Sequence, residues 1–358
     1  MRADSDTLPR HLAPDATREG AGDSYRGLVA AALVACFGLL GAVFTLNVLV
    51  DPLAIAGTGL VEPAVETDRA VKLDLIEDLP QSPEILILGS SRARQAEPFF
   101  VRRLTGHTGF NAAVTGGTAA DAWVMTRFAA DRFSGEPRRF IWFVDVGIAT
   151  NGVNPELLDD PRASRYLSGK SLDFTLDDVA TYISPQATRA SWRVLRACVL
   201  DTCSNRVRYL PDGSIDQPSL RFLPEQSASL RRSVAQLVAG TRARPPRAGG
   251  RIDPLRYVYF ERAITFMNER DARPVIVLNP VHPEVLAELS KHGYPGRKSA
   301  LAYLERLQRR LDFVFVDAQD ITRWDGTAAD WSNATHVNRR NMRRLLRYVV
   351  AESDGALR

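Results

Sequence analysis

The sequence predicts an α/β protein, a three-layer α/β/α arrangement around a mostly parallel sheet, with one transmembrane helix at its N-terminus. Three observations predict it. The 24 residues Gly27–Val50 carry no charged side chain. From residue 84 onward, short apolar runs ending in Gly or Asp alternate with amphipathic stretches, the rhythm of parallel strands joined by helices. The 358-residue chain is 45% hydrophobic and 25% charged, an ordinary globular composition that leaves room for one large domain behind the tail and anchor.

Residues 1–26 are rich in Asp, Arg, Gly, Ala and Pro without apolar periodicity and read as a disordered cytoplasmic tail. Residues 27–50 would extend about 36 Å as a helix, enough to cross a bilayer core with some tilt. Their only strongly polar side chain is Asn47. A cleaved signal peptide has an apolar region of about 7–15 residues and a small-residue cleavage site. This run is longer and leads into Leu-Val-Asp-Pro, so it reads as an uncleaved anchor. Arg2, Arg10, Arg18 and Arg26 precede it, and only Arg69 lies in the 20 residues after it. The positive-inside rule therefore predicts a single pass through the inner (cytoplasmic) membrane, with the main domain periplasmic. Residues 51–82 read as a linker.

The domain is expected over 83–358. Glu84–Leu88 reads as a buried strand ending at Gly89, followed by helices near 97–104 and 119–133. Arg139–Val146 contains Phe-Ile-Trp-Phe-Val-Asp-Val, a second buried strand. The less regular stretch 152–250 reads as an insertion or lid. It has helical segments near 186–199 and 226–239, a turn at Pro211-Asp212-Gly213, and an exposed basic loop over Thr241–Arg251. The rhythm then resumes. Helices are predicted at 255–271, Ala300–Leu311 and 338–352, and strands at Pro274–Leu278 and Phe313–Asp317.

The net charge of +4 is small for this length and gives no reason to expect a nucleic-acid partner. Of three cysteines, Cys36 lies in the membrane segment. Cys198 and Cys203 are five apart, close enough to close a small loop in an oxidising compartment, or else two buried thiols. No His or further Cys lies near them with metal-ligand spacing, so no metal site and no cofactor is expected. The last predicted helix carries Arg339, Arg340, Arg343, Arg344 and Arg347, a solvated face or a patch for an anionic glycan or lipid.

Ligands of such sheets bind outside the carboxyl ends of the strands. There the first strand leads into Gly89-Ser90-Ser91-Arg92, a tight turn that exposes a hydroxyl beside backbone N–H groups. It is not a Gly-x-Ser-x-Gly elbow, since Ala93 replaces the second Gly, and not a P-loop. Asn111 ends the next apolar stretch, and Gly116-Gly117 opens a helix, where a Gly can offer its N–H to an oxyanion. Of five His, two sit where they can serve chemistry. His282 follows a strand at the same edge. His336 stands before the final helix in Asp330-Trp331-Ser332-Asn333-Ala334-Thr335-His336.

In order and type these blocks resemble the SGNH (GDSL-like) hydrolase superfamily, whose fold is flavodoxin-like. The likeness covers about 84–148 and 274–350, with Ser90 where many members have Asp. It implies Ser91 as nucleophile, His336 as general base, and the N–H groups of Ser91 and Gly116 as oxyanion hole. Ser90, Arg92, Asn111 and His282 would line the site. Two positions depart from the pattern. Ala149 stands where the third block has Asn, leaving Asn151 two residues later as the candidate. Asn333 stands where the Asp of Asp-x-x-His is found. Asn333 brings no charge for an imidazolium and can favour the wrong tautomer, a change that costs about 10⁴ in turnover in serine proteases. Asp330 is then an alternative orienter.

Several membrane-anchored members of this superfamily add or remove acetyl groups on exported polysaccharides. The resemblance thus implies a serine esterase or O-acyltransferase, with an acylated glycan as substrate and a membrane acyl-donor protein as partner. The alternative is a non-catalytic glycan-binding or scaffold protein of an envelope polysaccharide system.

Overall fold

A computed structural model describes residues 17–50, 68–134, 137–147, 153–167, 179, 182–199, 208–216, 224–243 and 258–358. Helix α1 (Thr17–Val50) contains a 25-residue stretch, Arg26–Val50, long and apolar enough to cross a membrane. Five strands form one all-parallel sheet: β1 (Ile85–Leu88), β2 (Gly109–Asn111), β3 (Arg139–Val144), β6 (Val275–Leu278) and β7 (Val314–Asp317). Their order is β2-β1-β3-β6-β7, so the winding reverses direction between β1 and β3. In open α/β sheets the ligand crevice lies at that reversal.

Alternate strand residues feed two separate apolar clusters, as the period of two requires. Leu86, Leu88, Phe140, Trp142, Ile276 and Leu278 pack with α2 (Asp68–Asp78), α4 (Ala119–Arg132), α9 (Val258–Asn268) and α11 (Pro295–Leu307). Ile85, Ile87, Ile141, Phe143, Val275, Val277, Val314 and Val316 pack with α3 (Pro98–Thr105), α8 (Pro224–Ala243), α10 (Pro283–Lys291) and α12 (Arg339–Ala351). Every residue of β1 is buried. At about 1.5–3 kcal/mol per large apolar side chain, four such residues anchor even a short strand.

Two boundaries differ from the sequence reading. Helix α1 begins at Thr17, inside the stretch 1–26 read as a disordered tail. Residues 68–78, assigned to the linker, form α2, and Leu73 and Ile76 join the core. This helix escapes a hydropathy reading because it also buries Asp68, Arg69 and Lys72, whose charges conceal the apolar face. Lys72 Nζ donates to the carbonyl oxygens of Asn111 (2.6 Å) and Gly213 and lies 4.5 Å from the centre of the Tyr209 ring. Burial pushes its ammonium down to about 7, against the upward pull of Asp68.

The described parts of the middle region pack against the rest of the domain, with Leu157, Ala163, Leu230 and Val234 in its apolar clusters. The first are the short helices α5 (Pro155–Asp159) and α6 (Pro161–Ser164), then α7 (Pro185–Val199). Strands β4 (Arg208–Tyr209) and β5 (Ile215–Asp216) form a hairpin around the predicted Pro211-Asp212-Gly213 turn. The turn seats on the edge strand β2: Asn111 N–H donates to the Asp212 carbonyl at 2.8 Å. A Cβ on Gly213 would lie 2.2 Å from the Asn111 oxygen. Covering an edge strand in this way blocks further strand pairing. Helix α8 contributes Leu230 and Val234 to the second cluster.

The arginines of α12 are occupied within the fold. Arg339 and Arg343 pair with Glu97, Arg344 pairs with Asp330, and Arg343 and Arg347 lie over Phe100. Arg339, Arg343 and Arg347 thereby clamp α12 to α3. Among the cysteines, Cys36 is an exposed free thiol. The side chain of Cys198 and the whole of Cys203 lie outside the described residues, and their pairing with them.

Lys72 provides a test of this packing. Replacing it by Ala leaves two buried carbonyls without their shared donor and opens a cavity, so Lys72→Ala should lower stability by about 2–4 kcal/mol. Lys72→Met, which keeps the volume, should cost less. Thermal unfolding of the solubilised protein reads both, and an unchanged Tm in Lys72→Ala would contradict the role given to this side chain.

Candidate active site

The turn after β1 is held by its neighbours. Gly89 has φ +145°, and a Cβ there would meet the Phe143 oxygen at 2.8 Å, so only Gly fits. Its carbonyl accepts from Val114 N–H at 3.2 Å. A Cβ on Gly117 would lie 2.4 Å from that same oxygen, so the loop after β2 approaches the Ser91 turn closely only because position 117 is Gly. Asn111 fastens the two loops. Its Nδ2 donates to the carbonyls of Ala96 (2.7 Å) and Ala93 (3.0 Å), and its Oδ1 accepts from Ala113 N–H at 2.9 Å. Asn111 is fully buried, so it braces the turn from beneath and does not line the site.

His336 projects from a loop closed by a bridge between Trp331 and Val337 and by Ser332 N–H donating to the His336 carbonyl at 2.8 Å. Ser233 of α8 accepts from Ala334 N–H at 2.9 Å, and Asn338 caps α12 immediately afterwards. The loop places His336 Nε2 2.9 Å from Ser91 Oγ, within the reach that proton transfer requires.

The other ring nitrogen settles the tautomer. His336 Nδ1 lies 2.9 Å from Asn333 Oδ1 and 3.0 Å from Thr335 Oγ1. Asn333 Oδ1 also accepts from the backbone N–H groups of Thr335 and His336, each at 3.0 Å. A backbone N–H can only donate, so the atom facing it must be the oxygen and the amide cannot flip. Nδ1 therefore carries the proton and Nε2 is free to accept from Ser91. The wrong-tautomer expectation for Asn333 is corrected by these two backbone donors.

Asp330 does not orient the imidazole. Its carboxylate takes hydrogen bonds from Arg344 (2.6 Å), Thr327 (2.8 Å) and Asn338 (3.2 Å), pinning the base of the loop to α12. His282 is buried at the start of α10, with Nε2 3.3 Å from the Ala328 carbonyl and its ring edge-on to Trp331. It packs beneath the His336 loop and does not reach Ser91. Ser90 Oγ faces Arg92 N–H at 3.5 Å, within the turn. Gly116 has φ +60° with open space where a Cβ would stand. Neither Ser91 N–H nor Gly116 N–H donates to a backbone carbonyl among the described residues, leaving both available. Asn151 lies outside the described residues.

Asp145, at the exit of β3, is a site residue that the sequence reading passed over. Arg92 Nη1 donates to its Oδ1 at 2.7 Å and Asn279 Nδ2 at 3.1 Å. The signal was present, an Asp closing an apolar run at a strand exit. Burial, then the charges of Arg92 and Arg94, push the His336 imidazole down to about 4, against an upward pull from Asp145. The base is thus neutral at physiological pH. Among the described residues no His, Cys, Asp and Glu are grouped to hold a metal ion.

Fold and geometry together define a protein with a serine–histidine pair at the switch point of a parallel sheet and one N-terminal helix long and apolar enough to cross a membrane. No family model and no curated protein matches the chain.

The electrostatics can be read directly. In an NMR titration, His336 should stay neutral down to about pH 4. Arg92→Gln removes one repelling charge and frees Asp145, and Asn333→Asp adds an attracting charge, so both should move the titration upward. A wild-type midpoint near the ordinary His value, or a downward move in either variant, would contradict this environment.

Proposed function

We propose that this chain is a membrane-anchored serine esterase or O-acyltransferase of the SGNH type, acting on an acylated cell-envelope glycan. The observation that carries the proposal is the 2.9 Å approach of Ser91 Oγ to His336 Nε2, with Asn333 holding the proton on Nδ1. The strand order and the two apolar clusters support the three-layer, flavodoxin-like arrangement that goes with that superfamily. The Arg asymmetry around α1 supports an inner-membrane anchor with the domain in the periplasm, where a membrane acyl-donor protein would meet it.

In this reading the Ser91 hydroxyl passes its proton to Nε2 as Oγ attacks the ester carbonyl. The tetrahedral oxyanion takes hydrogen bonds from the N–H groups of Ser91 and Gly116. Collapse expels the alcohol, which takes the proton back from His336. The acyl group left on Ser91 passes to water or to a sugar hydroxyl. Asn333 orients the ring without neutralising it, and Arg92 and Arg94 oppose its positive charge, so the imidazolium is poorly stabilised and turnover is slow. That same feature favours a second reading, in which the fold is kept as a glycan-binding module without turnover.

A fluorophosphonate probe separates the two. Purified protein should be labelled on Ser91, and Ser91→Ala and His336→Ala should abolish labelling. In intact spheroplasts, a membrane-impermeant form of the probe should label the protein if the domain lies outside. Wild-type protein that takes up no probe would favour the binding module.

A further inference from the structure

The apolar stretch Gly27–Val50 of α1 carries one strongly polar residue, Asn47, and it is completely buried. Its partners lie on or just before α7. Asn47 Nδ2 donates to the Tyr182 carbonyl (2.6 Å) and to Thr188 Oγ1 (3.0 Å), and Ser191 Oγ donates to Asn47 Oδ1 (2.7 Å). The Phe44 and Tyr182 rings meet edge-on, 6.0 Å apart. Both N–H groups and the oxygen of one carboxamide are thus used to hold α7 against the end of the anchor.

Length places this junction. The 25 residues from Arg26 to Val50 extend about 37 Å, more than the roughly 30 Å of a hydrocarbon core. The surplus is at the Asn47 end, because the first part of the helix is exposed and apolar, while Asn47 and Val50 are buried against the domain. With α1 across a bilayer, helix α7 would lie at the depth of the lipid headgroups.

Its two faces differ. Ala187, Ser191 and Val194 are buried on one side. Arg189, Trp192 and Arg196, spaced i, i+3 and i+7, form an exposed stripe on the other. Trp192 is 67% exposed, whereas Trp123, Trp142, Trp324 and Trp331 are all at or below 9%. Tryptophan concentrates at membrane interfaces, and arginines at that depth reach anionic headgroups while burying their stems.

We infer that the Arg189-Trp192-Arg196 face of α7 is a second membrane contact, lying on the surface of an anionic phospholipid bilayer at the exit of α1. The anchor then does more than tether. With α7 on the bilayer and pinned to Asn47, the domain has a fixed seat on the membrane. The inference requires α1 to cross a membrane and is independent of the chemistry at Ser91.

The test uses the full chain reconstituted in vesicles of phosphatidylglycerol and phosphatidylcholine, with ordinary or brominated acyl chains. The difference in emission between wild type and Trp192→Phe isolates the Trp192 component. Brominated lipid should extinguish that component. The double variant Arg189→Glu/Arg196→Glu should restore it, and so should Asn47→Leu, which keeps α1 apolar but releases α7. Vesicle flotation checks that α1 is inserted in each case, and circular dichroism that the domain is folded. A Trp192 component equally bright in both lipids, in protein that floats, would overturn the inference and assign the stripe to a protein partner. Protein that does not float would remove its premise.

Discussion

A chain that turns sharply out of a buried strand carries its carbonyl groups into the interior with it, and each needs a donor. In the turn that bears Ser91 one buried carboxamide meets that need. Asn111 bonds the carbonyls of Ala93 and Ala96 and, with its own oxygen, the backbone after β2. The rest of the site follows from that clasp. The β2 loop can close on the turn only where Gly89 and Gly117 remove the side chains that would collide. Lys72 and the β4–β5 hairpin then fasten the backbone of Asn111 from the other side. The serine is therefore set on a rigid mount formed by two strand exits, and the histidine is brought to it by a loop braced from α8 and α12.

The histidine environment separates two jobs that a buried carboxylate performs together. Asn333 fixes the tautomer by geometry, because two backbone N–H groups hold its oxygen toward Nδ1. It supplies no charge. Arg92 stands close enough to repel an imidazolium, partly offset by Asp145, with which it pairs. Because that pair is partly exposed, its own contribution to stability is small, and its effect is felt through the field at His336.

The sheet was legible in the sequence wherever a strand was uniformly apolar, as in Ile85–Leu88 and Val275–Leu278, because burial on both faces leaves no competing pattern. The approach of Ser91 to His336, 245 residues apart, followed from the order of blocks at strand exits. Helix α2 was hidden by buried charges, and the hairpin by strands of two residues each, too short to carry a period. Asn111 was read as lining the site because sequence places a residue at a strand end without saying which way its amide points. Asp330 and Asn333 could not be ranked for the same reason. Both stand in the same loop, and only the capping of α12 and the pairing with Arg344 draw Asp330 away from the ring.

The central claim is that Asn333 holds His336 as the Nδ1–H tautomer, leaving Nε2 to accept the Ser91 proton. Nitrogen-15 NMR of protein labelled in histidine reads this directly near neutral pH. The account predicts a protonated Nδ1 and an unprotonated Nε2 for His336, with the populations reversed or mixed in Asn333→Ala. A wild-type ring protonated on Nε2 would contradict it, since Ser91 would then face a donor instead of a base.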